Sequence, residues 1–171
     1  MPEIIRTLTQ PQPACCFIGK RFDPAVWSSL PAMWGTFWEN GWFGQLETLQ
    51  TPEWTKNFPD MDAYIGLEEL RDGSSMPSYL VGLFAPADAV VPEGFEKIEF
   101  AACRLAVAYI YGPESAVYGF EGECLKVFAE KGLVPRRDNG VWWMFERYAC
   151  PRFTTPDEQG HVILDICCVV E

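Results

Sequence analysis

The residues best placed to do chemistry lie near the end of the chain, in the run Val-Trp-Trp-Met-Phe-Glu-Arg-Tyr from Val141 to Tyr148. Aromatic and β-favouring residues dominate it and a turn cluster from Arg136 to Gly140 precedes it, so the pattern predicts a strand. Alternation then puts Trp142, Met144, Glu146 and Tyr148 on one face and Val141, Trp143, Phe145 and Arg147 on the other. Both faces are too apolar for a strand with one side in water. A carboxylate set among aromatic rings and a thioether requires a partner, a raised pKa or a ligand. Glu146 is therefore a candidate counter-charge for a bound cation, or a carboxyl made available for acid–base work by burial. The competing reading is a structural carboxylate paired with Arg104, Arg147 or a backbone donor; Arg147 points to the opposite face and suits that role less.

Other chemistries have little to build on. His161 is the single histidine, follows a glycine at a strand start and reads as a surface residue, which leaves His-dependent triads and multi-His metal sites without material. The 7 cysteines (15, 16, 103, 124, 150, 167 and 168) include no Cys-x-x-Cys pair, and two adjacent pairs sit inside apolar runs. They read as small buried hydrophobes kept reduced rather than as a zinc or redox site. Ser28-Ser29 and Ser74-Ser75 have no base beside them and read as cap and turn residues. Glu68 and Asp165, also on predicted strands, read as solvated or paired. No cofactor and no metal are implied.

The elements that must position Glu146 can be taken in chain order. Residues 1–13, with Pro2, Pro11 and Pro13, read as a lead-in, and Cys15–Arg21 as a strand. Asp23-Pro24 offers a helix cap, Pro31 limits that first piece to a short turn, and a main helix is expected from about residue 30. Leu30, Met33, Trp34, Phe37 and Trp38 form its apolar stripe, and Gly41 can end it. Residues 63–70 and 79–84 read as a hairpin around Asp72-Gly73, and Pro86–Gly94 as a linker. A long strand over 98–111, a helix over about 115–131 capped by Gly132, and a strand pair 141–150 with 162–170 complete the chain. Each half thus reads strand, helix, strand, strand. The expectation is an α+β fold of two pseudo-symmetric β-α-β-β repeats, about 14–87 and 97–171 within a single domain of 1–171. Together they would form a curved antiparallel sheet with a central ligand groove, each repeat covering the other's apolar sheet face.

Composition narrows the partners. Of 171 residues 49% are apolar and 15% aromatic, including 12 Phe and 7 Trp, more ring area than a minimal core demands and suited to an aromatic-lined pocket. The net charge of −11, with only 13 Lys and Arg spread along the chain, argues against direct nucleic-acid or anionic-membrane binding and favours cationic ligands. No run is long or apolar enough for a signal peptide or a membrane span, so a cytoplasmic location is expected.

The chain resembles the GyrI-like small-molecule-binding family, the effector-binding domain also found behind AraC-type and multidrug-responsive regulators. The resemblance rests on Tyr64-Ile65-Gly66-Leu67, Tyr79-Leu80-Val81-Gly82-Leu83, Pro92-Glu93-Gly94-Phe95, Gly112 before the second helix, and Phe145-Glu146-Arg147-Tyr148, with Leu30-Pro31-x-x-Trp34-x-x-Phe37 similar to the family's first helix. It implies a groove that takes flat, apolar, often cationic compounds, with Glu146 at its base. Tyr148, Trp142 and Tyr64 lie on faces assigned to the groove, with ordinary core packing as their alternative. Trp34 and Phe37 approach its edge in the family pattern, and Tyr79 and Tyr111 are further candidates. The family implies sequestration or sensing; its stand-alone members also include relatives that resemble hydrolases opening cyclopropane rings of DNA-alkylating natural products, where the same Glu would serve catalysis. No helix-turn-helix segment is present, so a transcriptional role would call for a separate regulator protein. Four tryptophans (27, 34, 38 and 42) around the first helix depart from the family pattern and point to a ligand preference of its own.

Overall fold

The structure, a computed structural model, describes residues 1–171. Eight strands form one antiparallel sheet: β1 (Glu3–Gln12), β2 (Cys15–Arg21), β3 (Tyr64–Arg71), β4 (Ser78–Pro86), β5 (Glu96–Phe100), β6 (Cys103–Pro113), β7 (Val141–Tyr148) and β8 (His161–Val170). Their order across the sheet is β1-β6-β8-β7-β3-β4-β2-β5. The two halves meet at β7 and β3, which pair over eight residues from Tyr64 opposite Tyr148 to Arg71 opposite Val141. Outward from that seam each half runs in the same sense, so the sheet has the pseudo-twofold character the sequence pattern predicts.

Two expectations are corrected at the edges. Residues 1–13 are no mere lead-in: β1 pairs with β6, from Glu3 opposite Tyr111 to Gln12 opposite Cys103. Its Pro11 lacks an N–H, which an edge strand tolerates because one side of it faces no neighbour. The run 98–111 is likewise two strands, broken at Ala101-Ala102, with β5 on β2 at one edge of the sheet and β6 inside the other half. Each repeat thus lends a strand to its twin.

Four helices accompany the sheet: α1 (Leu30–Glu39), α2 (Trp42–Glu47), α3 (Pro52–Asn57) and α4 (Glu121–Glu130). Ser29 caps α1, its hydroxyl accepting from the Ala32 N–H at 3.3 Å, and Pro31 occupies the first turn, where a missing N–H costs nothing. Gly41, left-handed at φ 65°, separates α1 from α2. The second long helix is shorter than its sequence pattern predicts. Gly119 is left-handed at φ 79° and splits a 3-10 turn (Glu114–Ala116) from α4. Gly132 ends α4 as expected, with the Leu133 N–H donating to the Phe128 carbonyl at 2.9 Å.

Both long helices lie on the same face of the sheet. Met33 and Phe37 of α1, with Phe43 and Leu46 of α2, pack on Ile18, Val81 and Leu83. Cys124 and Phe128 of α4 pack on Ala108, Leu164 and Ile166. On the opposite face the two repeats pack against each other as the pattern predicts, Phe17, Leu67 and Phe84 sharing one core with Val107, Phe145 and Val169. The sheet curls until distant strands touch, Phe84 meeting Phe145 at 5.2 Å and Phe100 meeting Trp143 at 5.3 Å, and Trp54 of α3 with Phe58 adds to that core. The central strands β4, β3 and β7 are left open between the two helices.

Candidate ligand-binding pocket

That opening is a cavity of about 620 Å³, within the range of sites for drug-sized molecules. Leu30, Pro31, Trp34 and Trp38 of α1 form one wall, Glu114 and Tyr118 ahead of α4 face them, and Phe153 with Thr154 closes the end. Tyr64, Tyr79, Glu146 and Tyr148 make the floor. No lysine or arginine lines it.

Glu146 is 8% exposed and makes no ion pair. The hydroxyls of Tyr79 and Tyr148 both donate to its Oε2, at 2.6 and 2.8 Å, and the Trp34 indole N–H donates to the Tyr79 oxygen at 3.2 Å. The two arginines weighed as its partners are elsewhere: Arg104 donates to the Glu171 carbonyl and Arg147 to Asp165. Tyr79 reaches Glu146 from β4 across the intervening strand β3, and Gly66 is what allows it. A Cβ at Gly66 would stand 2.0 Å from the Tyr79 oxygen and 2.8 Å from Glu146 Oε2. Glycine inside a strand commonly marks such a close approach.

Burial pushes the Glu146 carboxyl above its ordinary range; the two phenol bonds oppose that rise and the charge of Glu121 adds to it. Burial and the adjacent carboxylate push both phenols far up, so Tyr79 and Tyr148 stay protonated donors at neutral pH. Glu68, neither well solvated nor paired as the sequence suggests, is partly buried and accepts no hydrogen bond from the protein. It lies opposite Tyr79 and Met144 on the same sheet face, and burial, with Glu121 and Glu146 adding, pushes its carboxyl up to about 7. The groove side is thus consistently short of positive charge.

The other side of the same strands is the reverse. Asp165, fully buried, accepts from Arg147 Nε at 2.7 Å and from Arg152, and Arg152 also grips Asp60 through two bonds of 2.8 Å. Burial alone would raise the Asp60 carboxyl, but the Arg152 bonds and the charges of Arg147 and Arg152 outweigh it and hold it below the usual range. This network fixes the loop whose next residues, Phe153 and Thr154, form the pocket's end wall.

Of the eight residues selected from sequence, the fold brings five together: Glu146, Tyr148, Tyr64, Tyr79 and Trp34. The other three lie outside the cavity. Phe37 is fully buried beneath α1 against Trp42 and Phe43, because its position on the helix faces the sheet while Leu30, Trp34 and Trp38, four residues apart, follow the groove-side flank. Trp142 shares Glu146's face but lies toward the other end of β7, under the Arg137 guanidinium. Tyr111 donates to Asp157 at 2.6 Å and packs on His161. Among the wall residues not selected, Trp38 was legible as the next turn after Trp34. Phe153 and Tyr118 belong to irregular segments without periodicity.

An α+β architecture with an open eight-stranded antiparallel sheet, the two long helices on one face and a groove at the seam between repeats is consistent with the GyrI-like effector-binding fold. Among solved structures, SAV2435 bound to tetraphenylphosphonium aligns with a TM-score of 0.67 at 13% identity, covering 98% of this chain and 94% of that one. The C-terminal domain of EcmrR aligns at 0.59 and 16% identity, covering 97% of each chain. A candidate bacterial transcription regulation protein from Staphylococcus aureus MU50 aligns at 0.62 and 13% identity, covering 97% of this chain and 98% of that one. At such identities the likeness is one of fold. No protein-family model and no curated protein matches the chain.

Proposed function

We propose that residues 1–171 act as one effector-binding domain for lipophilic, cationic aromatic small molecules, held in the groove between the repeats with Glu146 as counter-charge. The observation that carries this reading is a nearly buried carboxylate without any cationic partner, at the floor of an aromatic cavity. A cation entering the cavity would restore to Glu146 the stabilisation that burial removed. It would also meet the faces of Trp34, Trp38 and Tyr64, each cation–π contact adding about 0.5 to 2 kcal/mol. The tetraphenylphosphonium complex of SAV2435, a protein of the same fold, supports this ligand class. EcmrR, whose C-terminal domain shares the fold, is seen bound to DNA, which favours a sensing role.

The test is a titration of wild type and Glu146→Gln with tetraphenylphosphonium and with a neutral analogue of the same shape, monitored by tryptophan fluorescence. Selective weakening of the cation is expected. Equal loss for both ligands, or for neither, would remove Glu146 from the counter-charge role.

A further inference from the structure

Resting on that reading, we infer that the pocket selects cations bearing an N–H donor, protonated amines, over quaternary ammonium or phosphonium ions of the same shape. The inference comes from how the Glu146 carboxylate is divided. Each carboxylate oxygen can accept about two hydrogen bonds. Oε2 already accepts two, from Tyr79 and Tyr148, while no protein donor reaches Oε1. The two phenols arrive from different strands, and Trp34 backs the Tyr79 oxygen, so the carboxylate is clamped through Oε2, which lies close over Gly66. What it offers a ligand is one oxygen with both acceptor positions open.

A protonated amine answers both needs of that oxygen, charge and a donor aimed at it. A quaternary ion supplies charge alone and, once seated, shuts water out from an acceptor it cannot satisfy, which is the costly way to bury a polar atom. A guanidinium or amidinium fork gains nothing further, because its paired donors need both oxygens of a carboxylate and one is taken. The aromatic walls serve all these cations alike, so the discrimination resides at Oε1.

The experiment uses one tricyclic aromatic body with a propyl tether ending in N-ethyl-N-methylamine or in trimethylammonium. These ends have the same number of heavy atoms and both are charged at neutral pH, so donor capacity is varied and size is not. Binding to the full chain is read by calorimetry. The protonated tertiary amine is expected to bind at least about tenfold tighter, the low end for a charge-assisted hydrogen bond. In Glu146→Leu the two affinities are expected to fall within about twofold of one another. Equal affinities in wild type, or tighter binding of the quaternary ion, would overturn N–H selection and leave the counter-charge reading standing. Failure of both ligands to bind, or binding that Glu146→Leu leaves untouched, would instead overturn the reading beneath it.

Discussion

Glu68→Gln is expected to stabilise the ligand-free protein at alkaline pH and to leave it nearly unchanged in acid. Glu68 accepts no hydrogen bond from the protein, and burial, then Glu121 and Glu146, pushes its carboxyl from an ordinary 4.5 up to about 7. The folded state therefore holds the proton more tightly than the unfolded chain does. Below about pH 4.5 both states are protonated and no penalty exists. As pH rises toward 7 the unfolded chain ionises first, stability falls, and above 7 the loss levels off. The distance from 4.5 to about 7, at about 1.4 kcal/mol per pH unit, corresponds to roughly 3.5 kcal/mol; the part of the side chain still in contact with water reduces the expectation to about 2 kcal/mol. Glutamine keeps the shape and cannot ionise, so it escapes the loss. Urea melts of wild type and variant at about pH 4 and pH 8.5, with unchanged m-values, measure the difference directly. A variant no more stable than wild type at pH 8.5 would mean that a compensating partner exists, and the account of an electrostatically frustrated sheet face beside the groove would fail with it.

The same geometry sets three other outcomes. Gly66→Ala should push the Tyr79 hydroxyl off Glu146 and weaken tetraphenylphosphonium binding more than Tyr79→Phe does, since the added methyl also crowds the carboxylate; affinities of both variants by fluorescence titration check this, and an unaffected Gly66→Ala would refute the close approach. Arg152→Ala strands Asp165 without one of its two cations and should cost about 3 to 5 kcal/mol in urea melts, with Arg152→Lys intermediate because ammonium cannot reproduce the paired bonds to Asp60. Affinity for a permanent cation should fall as pH drops through the raised pKa of Glu146 and stay flat above it, because the bound cation favours the ionised carboxylate; a neutral analogue measured alongside should show no such slope.

What could be read from the sequence was whatever local periodicity encodes. The alternation in residues 141–148 gave the right strand and the right faces, and Ser29 with Pro31 and Gly41 marked both ends of α1. Pairing across the sheet is not a local property. Nothing in residues 1–13 or 98–100 announces that each will join the far repeat, which is why the pattern there predicts a lead-in and one long strand. Alternation also gives the direction of a side chain and not its distance along the strand. Trp142 and Tyr148 share a face, yet at about 3.3 Å per residue they lie roughly 20 Å apart, beyond the reach of one cavity. Phe153 illustrates a third limit, since its place is set by the Arg152 network, whose members come from three separate parts of the chain.

Neighbouring residues of β7 show why the groove keeps an unspent charge. Glu146 and Arg147 are adjacent, so alternation sends them to opposite sides of the sheet. Had Arg147 been able to turn toward Glu146, the pair could have neutralised itself. Instead its guanidinium, 3% exposed, is committed to Asp165 at 2.7 Å and lies near Asp60 at 3.5 Å. On that side two carboxylates face two arginines and the charge is balanced. On the groove side Glu146 and Glu68 face phenols, indoles and a thioether, with no cation from any wall. A purely structural floor would be better served there by Gln or Leu, because a carboxylate desolvated without a counter-ion is a net cost to folding. Under the proposed function, that cost is the one a residue kept for binding and held against stability would incur. The consequence for affinity is specific. A cation in this groove gains its own attraction to the carboxylate and also relieves a penalty incurred when the chain folded, whereas a neutral molecule of the same shape relieves nothing. On the proposed function, charge selection in this pocket would therefore be set by the empty protein.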